Sequence, residues 1–113
     1  YHVDGGSPCF FFELPTGAFY GFPSLDGATL KVANHFGVEP IEDPSTVDRA
    51  CHTTDVAPLV EFLRTVFPKA HSTLARHAVC MYTLSPDQHF ILDHWPESSA
   101  VTLACGFSGH GYK

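Results

Sequence analysis

Three short segments carry the residue types that could do chemistry. In the run Leu30-Lys31-Val32-Ala33-Asn34-His35, strand alternation sets Lys31, Ala33 and His35 on one face and Leu30 and Val32 on the other. A lysine and a histidine on one face of an otherwise apolar sheet have two explanations: a face that meets solvent, or a cationic group at the edge of a redox pocket. The second segment is Ala78-Val79-Cys80-Met81-Tyr82-Thr83, where Cys80 and Tyr82 alternate onto one face opposite Val79 and Met81. Such a cysteine is ordinarily an inert buried thiol, and becomes reactive only where its thiolate is stabilised. The third is Gly106-Phe107-Ser108-Gly109-His110-Gly111-Tyr112-Lys113. Glycines after a strand let backbone amides approach a ligand closely, although a conventional strand-to-helix turn explains them equally well. The order is not GxGxxG, and that dinucleotide fingerprint occurs nowhere in the chain.

Positioning these groups falls to an α+β arrangement, an antiparallel or mixed sheet with one main helix. Residues 9–14 (CFFFEL) have the pattern of a buried strand, and Pro15-Thr16-Gly17 that of a turn. Residues 18–22 form a second strand closed by Pro23, and Asp26-Gly27 turns the chain into a third at 29–35. Short connections of this kind favour an antiparallel meander. Residues 39–54, rich in Pro, Asp, Ser and Thr, predict a loop with one short helical turn. Asp55 is placed to cap a helix whose apolar positions are Val56, Leu59, Val60, Leu63, Val66 and Phe67. Pro58 is expected in its first turn, where a missing N–H costs little, and Pro68 stops it. Further strands are expected at 77–83, 89–93 and 100–105.

Composition closes off several function classes. A length of 113 residues suits one small unit, and 44% hydrophobic with 16% charged residues is ordinary for a folded protein. With a net charge of -6 and only six Lys and Arg, nucleic acid is a poor partner. No apolar run approaches the ~20 residues that span a bilayer. Aromatics reach 13%, with ten Phe, which fits a Phe-rich core and also a pocket for a flat ligand. Cys9, Cys51, Cys80 and Cys105 form no CxxC pair and are read as reduced thiols in a cytoplasmic setting. His77 and Cys80 have ligand-like spacing, but no second pair completes four zinc ligands, so no metal is expected.

Taken in order, the segments resemble the monomeric sarcosine oxidase and N-methyltryptophan oxidase family, within the D-amino-acid-oxidase-like group of FAD-dependent amine oxidases. Cys80-Met81-Tyr82-Thr83, Ser85-Pro86-Asp87 and Phe90-Ile91-Leu92-Asp93 look like its flavinylation segment. The run from Gly106 to Lys113 looks like its C-terminal flavin loop. Tyr20-Gly21-Phe22-Pro23 with Leu30-Lys31-Val32 and His35 looks like its substrate-domain strands. The resemblance implies a thioether from Cys80 to the flavin 8α carbon, and Lys31 near flavin N5 as the oxygen-activating group. It implies that Gly106, Phe107 and Gly109 face the flavin, and that Lys113, also beside the cofactor, holds the substrate carboxylate. Tyr20, His35, Tyr82 and His110 would line the pocket around the substrate amine. The implied reaction oxidises a secondary amino acid with O2, through an imine that water hydrolyses, to an amine, an aldehyde and hydrogen peroxide.

The resemblance also implies what lies outside these residues. Residues 1–113 are read as one substrate-domain fragment, with about 100–113 at the edge of an FAD-binding domain that would be the main partner. The GxGxxG half of the family and its carboxylate-binding arginine have no counterpart here. Tyr112 stands where Phe is usual, and Cys105 where Ala is usual. The isolated chain is therefore expected neither to hold FAD tightly nor to turn over, and to self-associate through apolar surface left uncovered. Two other function classes compete: a non-catalytic module that kept the fold, and a sister oxidase acting on glycated or cyclic imino acids.

Overall fold

The computed structural model describes residues 8–24, 27–35, 39–70 and 73–112, in two compact units, Tyr1–Val79 and Cys80–Lys113. Its helix and two small antiparallel sheets make an α+β fold.

The first unit holds strands β1 (Phe10–Leu14), β2 (Gly17–Phe22) and β3 (Lys31–Asn34) in an antiparallel meander, and helix α1 (Thr53–Val66). A two-residue loop, Pro15-Thr16, joins β1 to β2, with Gly17 at φ +141 where side chains are disfavoured. Of the next expected turn, Asp26 lies outside the described residues and Gly27 has φ +71. Register pairs Phe10 with Gly21 and Val32, and Phe12 with Phe19 and Asn34, so these residues share one face. That face meets α1. Phe19, 1% exposed, stacks on Phe62 with ring centroids 4.6 Å apart, and Phe10, Phe12, Leu59, Leu63, Val66 and Phe67 close around them. Gly21 is required here: a Cβ would collide with the Phe10 ring and the Lys31 carbonyl.

The helix departs from expectation in three details. Its inward stripe is Leu59, Phe62, Leu63 and Val66; Phe62 was absent from the expected set, and Val56 and Val60 instead line an open groove. The cap is His52, three residues before Asp55, because the Asp55 carboxylate reaches back to accept the His52 backbone N–H at 3.0 Å. Pro58 is consequently the sixth helical residue, beyond the first turn, and leaves the Thr54 carbonyl without its usual helical donor. The expected helical turn in the preceding loop is a 3-10 turn at Pro44–Thr46, capped by Asp43, which accepts the Ser45 N–H at 2.8 Å.

In the second unit β4 (Ile91–Trp95) and β5 (Ser98–Cys105) form a hairpin turning at Pro96-Glu97, with a register shift between His94 and Trp95. The start of β4 is later than expected because the His89 N–H is taken by the Asp87 carboxylate at 3.0 Å. No strand forms at 77–83. Alternation there specifies an extended backbone but not a partner. The Val79 carbonyl accepts from Arg49 and the Thr83 carbonyl from the Ser108 N–H, and no ladder forms.

Candidate functional site

Tyr20, Lys31 and His35 come together on the sheet face turned away from α1. Register places Phe11, Tyr20 and Ala33 abreast, with Phe22 and Lys31 paired one step along. His35, just beyond β3, continues the ladder by donating its N–H to the Ala18 carbonyl at 2.7 Å. Its imidazole is 7% exposed, edge-on to Phe11 at 5.6 Å and to Tyr20 at 6.1 Å between centroids. Tyr20 also meets Phe22 edge-on at 6.0 Å. The Lys31 ammonium lies 4.7 Å from the Phe22 centroid and 5.4 Å from that of Tyr20. The face is thus a floor of aromatic rings carrying one cation and one buried imidazole. It could receive a flat ligand and stabilise negative charge.

Phe11 and Phe22 belong to this floor and were missed from sequence. Their signal was present in the alternation: Phe11 opposes Phe10 and Phe12, and Phe22 is two pleats from Tyr20.

The second unit carries the remaining described candidates, Cys80, Tyr82, Gly106, Phe107, Gly109 and His110. Cys80 is exposed and free, contrary to an inert core thiol, as are Cys9, Cys51 and Cys105. The Ser108 N–H to Thr83 carbonyl bond, 3.0 Å, ties the glycine loop to the segment after Cys80. Phe107 and His110 close a tight turn through His110 N–H to the Phe107 carbonyl at 2.7 Å. Within it Ser108 and Gly109 have φ of 48 and +79, and Gly106 has φ +65. The Tyr82 ring lies against Gly109, where a Cβ would sit 2.9 Å from it. The glycine requirement at 109 is therefore already explained within the unit. Phe107 packs edge-on to Phe90 at 5.1 Å. Lys113 lies outside the described residues.

Beside this loop, the Ser85-Pro86-Asp87 turn is built around one buried hydroxyl. Ser85 is 7% exposed, its Oγ 2.7 Å from the His89 carbonyl and 3.1 Å from the Asp87 carboxylate. The His89 N–H and then the Ser85 hydroxyl hold the Asp87 carboxyl below the usual range. In the first unit, the Asp48 side chain raises the His52 pKa through a 2.8 Å contact. Among the described residues, no group of three or more His, Cys, Asp or Glu is arranged to hold a metal ion.

Comparison with known proteins places these features in a family context. The family model for FAD dependent oxidoreductases matches residues 2–113. Monomeric sarcosine oxidase of Arthrobacter sp. (strain TE1826) is 44% identical over 110 residues, covering 96% of this chain and 28% of that protein. That of Bacillus sp. (strain B-0618) is 45% identical over 115 aligned residues, 100% of this chain and 29% of that one. N-methyl-L-tryptophan oxidase of Citrobacter koseri is 36% identical over 115, covering 100% and 30%. The chain spans less than a third of the length of these relatives.

Proposed function

The chain belongs to the FAD-dependent oxidoreductase family, and from that premise we propose that it is part of an oxidase for secondary amino acids, sarcosine or another N-methyl amino acid. The observation that carries the reading is the floor of Tyr20, Lys31 and His35, held rigidly by a three-stranded sheet whose other face is packed against a helix. The names of the relatives, sarcosine oxidase and N-methyl-L-tryptophan oxidase, support the substrate class.

The residues fit a flavin by the chemistry of their donors. Cys80 offers an exposed, unpaired sulfur suited to a thioether at the flavin 8α carbon. Bound FAD would supply the two-electron acceptor that amine oxidation needs. The chain's own groups do the rest. Tyr20 and His35 shape the pocket and orient the substrate amine, while Lys31 holds positive charge where oxygen acquires electrons. Gly106, Phe107 and Gly109 are assigned to the cofactor, Tyr82 and His110 to the substrate, and Lys113 to both, as a point charge for the substrate carboxylate. The substrate loses two electrons and two protons to become an imine, which water hydrolyses to an amine and an aldehyde. Oxygen takes up the electrons as hydrogen peroxide. Four unpaired thiols support a reducing, cytoplasmic location.

The test uses the full-length, flavin-loaded protein in a peroxide-coupled assay with sarcosine and N-methyltryptophan. Peroxide and aldehyde in equal amounts from either substrate are expected. Absence of peroxide from both, with a glycated and a cyclic imino acid silent too, would defeat the oxidase reading and leave the non-catalytic one. Acid-denatured protein should retain yellow flavin and the added mass, and Cys80→Ser should lose both. Flavin released from the wild type by acid would refute Cys80 as anchor.

A further inference from the structure

We propose that Phe22 is a positioning residue for Lys31, an aromatic clamp that fixes the ammonium without cancelling its charge. The inference rests on the reading of Lys31 as the oxygen-activating cation. Phe22 and Lys31 are direct cross-strand partners, so the sheet itself delivers the ring to the lysine. The ammonium stands 4.7 Å from the Phe22 centroid, nearer than the 5.4 Å to Tyr20, and no carboxylate pairs with it among the described residues. Phe22 has no place in the helix–sheet core and is 39% exposed. Its ring is thus available for the cation rather than committed to holding the unit together.

The choice of a ring over a carboxylate has a physical consequence. A lysine stem has four rotatable carbons and loses much rotamer freedom when held. A carboxylate would hold it but neutralise the field that reduced oxygen needs. A ring face attracts the ammonium through its quadrupole and leaves the full positive charge directed outward. The Tyr20 edge against Phe22, at 6.0 Å and 89°, braces the clamping ring in turn.

The experiment compares Phe22→Leu, Phe22→Tyr and Lys31→Met in the flavin-loaded protein. Dithionite-reduced protein is mixed with oxygen, and oxidised protein is mixed anaerobically with sarcosine. In parallel, the Lys31 Hε signals, assigned by their loss in Lys31→Met, are read by lysine-labelled NMR. Phe22→Leu should slow reoxidation about three- to thirty-fold, the span of a cation–π contact. Anaerobic reduction should stay within about twofold of the wild type, since only the charge-stabilising step is touched. The upfield ring-current shift of the Lys31 signals should vanish in Phe22→Leu, and Phe22→Tyr should keep both the rate and the shift. Equal behaviour of the Leu and Tyr variants, equal slowing of both half-reactions, or unshifted Lys31 signals in the wild type would each overturn the inference. If Lys31→Met reoxidises at the wild-type rate, the oxygen role of Lys31 itself falls and takes the inference with it. If only Lys31→Met is slow, the clamp alone is refuted.

Discussion

The two units use apolar residues in opposite ways. In the first, Phe19, Phe62 and Leu63 are enclosed between a sheet and a helix, and partly buried neighbours surround them on both layers. In the second, every residue of β4 is exposed, and Leu92, Trp95 and Val101 show 69%, 47% and 47% of their surface. Apolar content is therefore not what separates them. A sheet buries its face only when a second layer lies on it, and a two-stranded hairpin supplies one layer. What holds the second unit is local instead: the Ser85 hydroxyl against the His89 carbonyl, the Ser108 amide on the Thr83 carbonyl, and the Phe90–Phe107 pair. The candidate residues of the first unit thus stand on a packed base, and the described ones of the second on an extended segment and a glycine turn.

The sharpest test of that contrast is a matched pair of truncations. Phe62→Ala should cost about 3–5 kcal/mol, since a buried ring is lost from a stacked core. Leu92→Ala should change stability by less than about 0.5 kcal/mol, because its side chain is already in solvent. Urea unfolding separates the two units without further labels. Helical circular dichroism follows α1, while fluorescence of Trp95, the chain's single tryptophan, follows the hairpin. Equal losses in the two variants would mean that the hairpin has a core of its own after all.

A smaller pair of effects tests two glycines that matter for different reasons. At Gly21 the backbone is ordinary and the obstacle is packing, so Gly21→Ala must displace both the Phe10 ring and the Lys31 carbonyl, costing about 1–3 kcal/mol. At Gly109 the φ of +79 is itself the obstacle, with the Tyr82 ring behind it. Gly109→Ala should cost about 1–2 kcal/mol and move the Trp95 transition only. Gly21→Ala should move the helix transition only. Movement of both transitions by either variant would break the division into two units.

How much of this was legible in the sequence follows the same division. Strands β1 to β3 were readable because alternation, a Pro-Thr-Gly turn and a Gly27 turn are local signals, and the helix was readable from its period. The inward stripe was misjudged because Val56 and Val60 are as apolar as Leu59 and Phe62. Only the position of the sheet decides which pair turns inward. The Asp55 cap was misplaced for a related reason: an acidic residue at the third helical position signs the same start as one at the cap. In the hairpin unit, strand alternation at 77–83 showed an extended chain but could not supply a partner strand. Alternation alone sets Lys31 and His35 on one face, the resemblance adds Tyr20, and the register puts all three together. Phe11 and Phe22 were missed because nothing in their type sets them apart from the rest of the ten phenylalanines.

The smallest expected effect distinguishes the units by the pH window in which each responds. In the first unit, hydrogen bonding to Asp48 raises the His52 pKa, and the Coulombic attraction of Asp48 and then Asp55 adds to it. A histidine raised on folding contributes its full stability below the unfolded value and loses it as pH rises through the raised one. The helix should therefore weaken slightly between mildly acid and mildly alkaline pH. The effect is small because His52 and Asp48 are 53% and 68% exposed and therefore screened. A protonated His52 at a helix N-terminus also opposes the dipole, which trims the gain. Asp87 in the second unit is depressed by the His89 N–H and the Ser85 hydroxyl, so its contribution is present above the ordinary carboxylate value and is lost as pH falls through the depressed one. Asp43 and Asp48 are depressed as well, so acid weakens both units. Between pH of about 6 and 8 the helix transition should shift, and Asp48→Asn should remove most of that shift while leaving the Trp95 transition where it was. A helix midpoint that did not move in this window, or that moved as much in Asp48→Asn as in the wild type, would show that the Asp48–His52 pair leaves no mark on the stability of its unit.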